Sequence, residues 1–170
     1  QIFRPTVDAM AMEGRPFKGV LYFGLMLTPD GPKVIEYNAR FGDPETQAVL
    51  ELLETDLLDI FRAVAEERLA DLDIRWSKKS ACCVVLASGG YPGAYETGKL
   101  ISGLGTVPAA VTVYHAGTKV QDGAYYTAGG RVLGVTARGD NLAQAAEQAY
   151  AGVDCIRFDD IQYRTDIGNK

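Results

Sequence analysis

Glu36, Asn38 and Arg40 stand at alternate positions in the stretch "KVIEYNARFGDPETQ", residues 33–47, just after the apolar pair Val34 and Ile35. If this stretch is a strand, the three side chains project from one face. A carboxylate oxygen and an amide oxygen about 7 Å apart along a strand can converge on one hard cation, and Mg²⁺ favours a few such oxygens together with substrate phosphates. Arg40, one step farther, would reach a phosphoryl oxygen on the same cation. Taken alone, E-x-N-x-R also fits a solvated sheet face with a surface ion pair. The residues that follow favour the chemical reading. Gly42 permits a close backbone approach or an unusual turn, Asp43 suits a helix N-cap, Pro44 the first helical position, and Glu45 the first turn. A helix N-terminus beside a cation and an arginine is an anion site.

These side chains need elements to hold them. "GVLYFGLMLTPDGPKVIEYNAR" reads as a β-hairpin: a strand about Gly19 to Thr28, a Pro29–Gly31 turn, and a second strand about Lys33 to Ala39. The next run, "DPETQAVLELLETDLLDIFRAVAEERLADL", is helical, with Leu50, Leu53, Leu57, Phe61 and Val64 at spacings of three and four and a second start capped by Thr55 or Asp56. A change of pattern near Trp76 marks a boundary. Beyond it, "SACCVVLASGG", "VTVYHAGTKV" and "AYYTAGGRVLGVTARG" are three strand-like runs separated by Gly-rich turns. They precede an amphipathic helix carrying Leu142, Ala146, Ala149 and Val153 on its apolar face. The expected class is α+β, with a strand-and-helix lobe over residues 1–76 and a small β-rich lobe closed by a helix over residues 77–170.

Composition narrows the function. The 170 residues can bury a substantial core. With 17 Lys plus Arg against 22 Asp plus Glu, the net charge is −5 and the basic residues are scattered, which excludes nucleic acid and anionic membrane as main partners. No apolar run approaches the roughly 20 residues of a membrane span, and the opening residues lack a signal-peptide layout, so a cytoplasmic location is expected. Cys82 and Cys83 are strand neighbours whose side chains face opposite ways. Together with Cys155 they read as small core residues rather than disulfides or zinc ligands. The chain starts without an initiator Met, on apolar residues with nothing upstream to pack against, and reads as a piece of a longer protein.

Three further features carry weaker signals. Gly93–Lys99, "GAYETGK", has the spacing of a phosphate loop, but Leu100 occupies the position where Ser or Thr holds Mg²⁺, and the preceding Tyr-Pro disfavours a strand–loop–helix layout. Lys99 or its neighbouring N–H groups remain candidates for contacting a substrate phosphate, as does Arg131 after the Gly129-Gly130 turn. His115 at a strand end reads as structural.

The order "GVLYFGLML", "KVIEYNARFGDPETQ", "SGGYPGAYETGKLISGL", "VYHAGTK", "GGRVLGVTARG" and "YRTDIG" closely resembles the C-terminal part of the glycinamide ribonucleotide synthetases, the phosphoribosylamine–glycine ligases of the ATP-grasp superfamily. The resemblance covers essentially the whole chain. It implies that residues 1–76 end an ATP-grasp domain of antiparallel strands plus helices, and that the remainder is the family's small C-terminal domain. The implied reaction joins glycine to 5-phosphoribosylamine, with ATP as co-substrate, through a glycyl phosphate. Carried over by position, Glu36 and Asn38 match metal ligands for Mg²⁺ or Mn²⁺, and Arg40 matches a catalytic arginine at the transferring phosphoryl group. Gly42, Asp43, Lys99 and Arg131 are the substrate-binding candidates. Many ATP-grasp enzymes place another acidic ligand on the paired strand. Here Gly24 is the expected facing residue. The lobes that clasp ATP would lie upstream, so the chain alone is expected to be inactive. Two other readings compete: part of another ATP-grasp enzyme such as a biotin-dependent carboxylase, and a folded fragment with no catalytic role.

Overall fold

A Pro29-Asp30 turn brings two strands together where the sequence predicts a hairpin, in a computed structural model that describes residues 2–169. The helices are α1 (Phe3–Met12), α2 (Glu45–Leu50), α3 (Leu57–Ala65) and α4 (Leu142–Val153). The strands are β1 (Tyr22–Thr28), β2 (Gly31–Asn38), β3 (Ser80–Ser88), β4 (Leu100–Ile101), β5 (Val111–His115), β6 (Thr118–Gln121), β7 (Ala124–Thr127), β8 (Arg131–Gly139) and β9 (Ile161–Gln162). All paired strands are antiparallel, and the fold is α+β. The chain divides into two compact units. One holds the residues up to Gly42 together with Glu54–Arg75, and the other holds Asp43–Leu53 and the residues from Trp76 onward.

The first unit is built on the β1–β2 hairpin. Tyr22 pairs with Asn38, Phe23 with Tyr37 and Gly24 with Glu36, after which a bulge leaves Ile35 without a partner and Leu25 pairs with Val34. Phe23 lies between Phe3 of α1, with ring centroids 4.6 Å apart, and Tyr37, at 5.3 Å. Asp56 caps α3, its Oδ1 accepting from the Leu58 N–H at 2.7 Å, as the sequence suggests. Thr55, the alternative cap, instead accepts from the Arg75 N–H at 2.7 Å.

The helical run predicted over residues 43–72 is not continuous. α2 ends at Leu50 because the following backbone is diverted: Leu53 forms an isolated antiparallel bridge with Trp76, and Ser77 N–H donates to Leu52 C=O at 2.8 Å. A leucine spacing that fits one helix is therefore shared between two elements and a bridge.

In the second unit a sheet of order β5-β8-β3-β9 carries α4 on one face. Val84, Leu86, Val135 and Ala137 meet Ala145, Ala149 and Val153 in a fully buried cluster that also includes Cys82 and Ile156. Burying a side chain the size of Leu86 contributes about 1.5–3 kcal/mol. Alanines on the buried face let α4 approach the sheet closely, while Leu142, predicted on that face, is 43% exposed in the first turn. Asn141 caps α4 by accepting from the Gln144 N–H at 2.9 Å.

A second sheet, β4-β7-β6, arises because two of the predicted strand runs each break in the middle. "VTVYHAGTKV" becomes β5 and β6, and "AYYTAGGRVLGVTARG" becomes β7 and β8, so each run serves both sheets. The breaks meet one another: a Cβ on Gly117 would lie 2.7 Å from the Gly129 Cα, an approach that only glycine permits. His115 is engaged locally, with Nδ1 3.0 Å from Thr118 Oγ1 and its ring centroid 4.5 Å from that of Tyr125.

α2 packs against β3 and β8 in this unit, and its C-terminal neighbour Glu51 anchors it. Tyr114 Oη donates to Glu51 Oε1 at 2.8 Å, and Arg138 lies 3.5 Å from Oε2. Burial, followed by the Glu51 carboxylate, pushes Tyr114 up to about 12 from its usual 10.0. The folded state thus holds the phenol neutral where the unfolded chain ionises it. The contact stabilises fully below about pH 10 and loses its contribution as pH rises through about 12. Denaturation of the wild type and Tyr114→Phe should therefore give a stability gap that shrinks between about pH 9 and about pH 12. A gap independent of pH over that range would show that the folded state does not hold the phenol neutral.

Candidate metal and substrate site

The polar face of β2 is set by its pairing with β1. Glu36 lies opposite Gly24, as expected from the sequence, and a Cβ at Gly24 would come within 2.9 Å of Glu36 Cγ. The glycine leaves room for the glutamate stem to lie across the neighbouring backbone. It also means that this facing position supplies no further carboxylate. Asn38 Nδ2 donates to Glu36 Oε1 at 3.1 Å, so the side chains two residues apart do meet on one face. Glu36 is exposed and Asn38 half-buried.

This donor set is small. Among the described residues no three His, Cys, Asp or Glu side chains cluster around a possible metal position. One carboxylate and one amide suit an oxygen-loving cation that draws its other ligands from a phosphate substrate. Rotation of the Asn38 amide would present its oxygen beside the carboxylate it now donates to. The fit is to Mg²⁺ or Mn²⁺ rather than to a zinc centre, which needs more protein ligands of a softer kind. Gly24→Val should crowd Glu36 out of this pose and weaken Mn²⁺ binding by about tenfold in a titration with nucleotide present. Unchanged affinity would separate Glu36 from the metal.

Arg40 does not continue the strand as the alternation predicted. β2 ends at Asn38, and Arg40 lies in the bend that follows, where its Nη1 donates to the Phe41 carbonyl at 2.6 Å. It lines a cavity of about 440 Å³ with Lys18, Phe41, Ile60, Phe61 and Val64. Lys18 is ion-paired to Glu67, whose carboxyl it holds below its usual range. This cavity is not legible in the sequence, because its walls come from three separated stretches.

The second unit holds Asp43, Arg131 and Lys99. Asp43 is not the N-cap of α2. Pro44 takes that position and no side chain caps the helix, which starts at Glu45 rather than at Pro44. The Asp43 carboxylate instead accepts from Gln47 Nε2 at 2.9 Å and faces Arg131 Nη2 at 3.6 Å, while its main-chain carbonyl accepts from Arg131 Nη1 at 2.7 Å. The side-chain amide of Gln47 and the nearby guanidinium, rather than a backbone N–H of the helix start, engage the carboxylate. Gly42, the preceding residue in the chain, is buried.

Lys99 lies elsewhere in this unit. With Glu96, Tyr95, Asp159 and Asp160 it lines a cavity of about 230 Å³. Its Nζ is 2.8 Å from Glu96 and 4.0 Å from Asp160, and Glu96 in particular raises its pKa. Gly93–Lys99 forms no phosphate loop, since the short strand β4 follows it where such a loop needs a helix, and the Lys99 N–H is committed to Thr127 Oγ1 at 3.0 Å. The structure thus joins Glu36 with Asn38 and Asp43 with Arg131, and gives Lys99 a setting of its own. Sequence reasoning also missed Gln162. Its Oε1 accepts from the Gly90 N–H at 3.2 Å and its Nε2 donates to the Tyr91 carbonyl at 2.7 Å, gripping the Gly-Gly-Tyr-Pro loop.

Comparison with known proteins places these residues in context. Residues 81–170 match the family model for the phosphoribosylglycinamide synthetase C domain, and residues 1–46 match that for the phosphoribosylglycinamide synthetase ATP-grasp (A) domain. A phosphoribosylamine–glycine ligase from Caldanaerobacter subterraneus subsp. tengcongensis is 53% identical over 167 residues, covering 98% of this chain and 40% of that protein. The phosphoribosylamine–glycine ligase of Synechocystis sp. is 52% identical over 173 residues, covering 100% of this chain and 41% of its own. The crystal structure of phosphoribosylamine–glycine ligase from Thermotoga maritima superposes with a TM-score of 0.75 at 33% identity, covering 94% of this chain and 39% of that one. The chain therefore spans about 40% of the length of these ligases.

Proposed function

Because the chain belongs to the phosphoribosylglycinamide synthetase family, we propose that it forms the metal-holding end of the active site of an ATP-dependent phosphoribosylamine–glycine ligase of purine biosynthesis. In this reading residues 1–76 close the ATP-grasp domain and residues 77–170 are the ligase's small C-terminal domain. α2 is the exception, belonging to the first by sequence and packing with the second. The partners are small molecules (ATP, glycine and 5-phosphoribosylamine) and the rest of the same polypeptide. Exposed apolar side chains on the hairpin, such as Leu27 and Ile35 at 82% and 63%, support further chain packing there. No helix among the described residues is long and apolar enough to cross a membrane, in keeping with a cytoplasmic enzyme.

The observation that carries the proposal is the contact between Glu36 and Asn38 opposite Gly24. A glycine carboxylate attacking the γ-phosphate of ATP meets strong charge repulsion. A Mg²⁺ or Mn²⁺ ion held by Glu36 and Asn38 would supply compensating charge among the phosphates. Arg40 turns from the Phe41 carbonyl to the transferring phosphoryl group, adding a guanidinium where charge builds up. Attack yields ADP and glycyl phosphate. The amine of 5-phosphoribosylamine then displaces phosphate from the acyl carbon to give glycinamide ribonucleotide. Asp43, Gly42, Arg131 and Lys99 are the chain's candidates for holding or orienting the two acceptor substrates.

Substrate dependence of ATP turnover by the complete protein tests this reading. ADP release should require glycine and 5-phosphoribosylamine together. Release driven by bicarbonate with biotin would instead identify a carboxylase sharing the same strand face.

A further inference from the structure

Arg131 is committed on two sides of one residue. Its Nη1 donates to the Asp43 carbonyl at 2.7 Å while its Nη2 lies 3.6 Å from Asp43 Oδ2, and Gln47 holds the other carboxylate oxygen at 2.9 Å. The guanidinium is delivered by a turn that is itself pinned. Ser88 N–H donates to the Gly130 carbonyl at 2.8 Å, and Ser88 Oγ donates to the Gly129 carbonyl at 2.9 Å. The Tyr91 ring occupies the space beside Gly130 so fully that a Cβ there would lie 2.1 Å from Tyr91 Cδ2. Tyr91 is in turn held at its carbonyl by Gln162. A planar fork whose position is set this firmly, and whose two terminal nitrogens are directed at the same residue, is built to orient that residue.

We propose that Arg131 is a positioning residue of the ligase, acting through Asp43, rather than a ligand for a substrate phosphate. It holds the main chain of Asp43, the third residue after Arg40, and with Gln47 sets the charge and hydrogen bond beside the carboxylate, so that the carboxylate presents one orientation to the acceptor substrates. The proposal rests on the ligase reading above.

The test uses the complete ligase with Arg131→Ala, Arg131→Lys, Asp43→Asn and the Arg131→Ala/Asp43→Asn pair. Loss of positioning should lower kcat for Arg131→Ala by roughly 10²-fold. KM for 5-phosphoribosylamine should stay within about threefold of wild type. Lysine, a point charge without a fork, should recover only part of the loss. The double variant should fall well short of the product of the single losses, because the two residues act through each other. A rise of about tenfold or more in KM for 5-phosphoribosylamine with kcat retained would make Arg131 a phosphate ligand and overturn the proposal. Multiplicative losses or wild-type kinetics would overturn it as well. If Arg131→Ala does not fold, Arg131→Lys and Asp43→Asn carry the same KM-against-kcat split. Hydrogen exchange separates this proposal from the ligase reading. Amides of residues 45–50 should exchange faster in Arg131→Lys whatever the substrate proves to be, and unchanged exchange would contradict the anchoring role. Absence of glycine-dependent turnover in the wild type would count against the ligase reading alone.

Discussion

Glu36→Gln in the complete ligase should reduce turnover by roughly 10²-fold or more while leaving the fold intact. The substitution keeps the shape of the side chain and its place opposite Gly24. It removes the one carboxylate charge of the Glu36–Asn38 pair, which the proposed function places where a carboxylate nucleophile and a polyphosphate are brought together. Glycine KM should change much less than kcat, since the lost interaction matters most as charge accumulates in transfer. Raising the Mn²⁺ concentration should restore part of the rate by filling a weakened site. Steady-state kinetics against metal concentration reads all three quantities. Wild-type turnover with wild-type metal dependence would remove Glu36 from the metal site.

A larger effect is expected when the 170-residue chain is assayed by itself: no detectable formation of glycinamide ribonucleotide and no ATP hydrolysis. The chain spans about 40% of the ligases it resembles. In the ATP-grasp arrangement implied by that resemblance, the nucleotide is clasped between lobes. The donors proposed on β2 amount to one carboxylate and one amide, too few to retain Mg²⁺ firmly unless nucleotide phosphates complete its shell. Gly93–Lys99 offers no phosphate loop, because its backbone leads into β4 rather than into a helix. Calorimetric titration with ATP and Mg²⁺ should give weak heats or none. Glycine-dependent ADP release by the isolated chain would show that the catalytic machinery is complete within it.

What could be read from the sequence was local. The Pro-Asp-Gly turn marks the hairpin, although it takes the bulge at Gly24/Leu25 to bring Gly24 opposite Glu36, and Asp56 and Asn141 cap helices as short-range chemistry dictates. Long-range competition decided the rest. Asp43 has every local qualification for an N-cap, yet Gln47 takes its carboxylate while a guanidinium 88 residues farther along takes its carbonyl and lies 3.6 Å from the carboxylate. Leu53 fits a helical stripe, but its backbone pairs with Trp76 instead. The strand runs through Gly117 and Gly129 look continuous because β-branched and aromatic residues occur on both sides of their glycines. Only their mutual contact shows why both break there and feed two sheets. Arg40 obeys the period of two in sequence and still leaves the strand face, since pairing stops where β1 does, at Asn38 opposite Tyr22.

Manganese binding to the complete ligase, followed by electron paramagnetic resonance with a non-hydrolysable ATP analogue present, tests most directly whether β2 holds the metal. Wild-type protein should bind Mn²⁺ in a nucleotide-dependent manner, and Glu36→Gln and Asn38→Ala should each weaken that binding by about tenfold or more. Equal affinity in the wild type and both variants would contradict the assignment of Glu36 and Asn38 as the metal-holding pair.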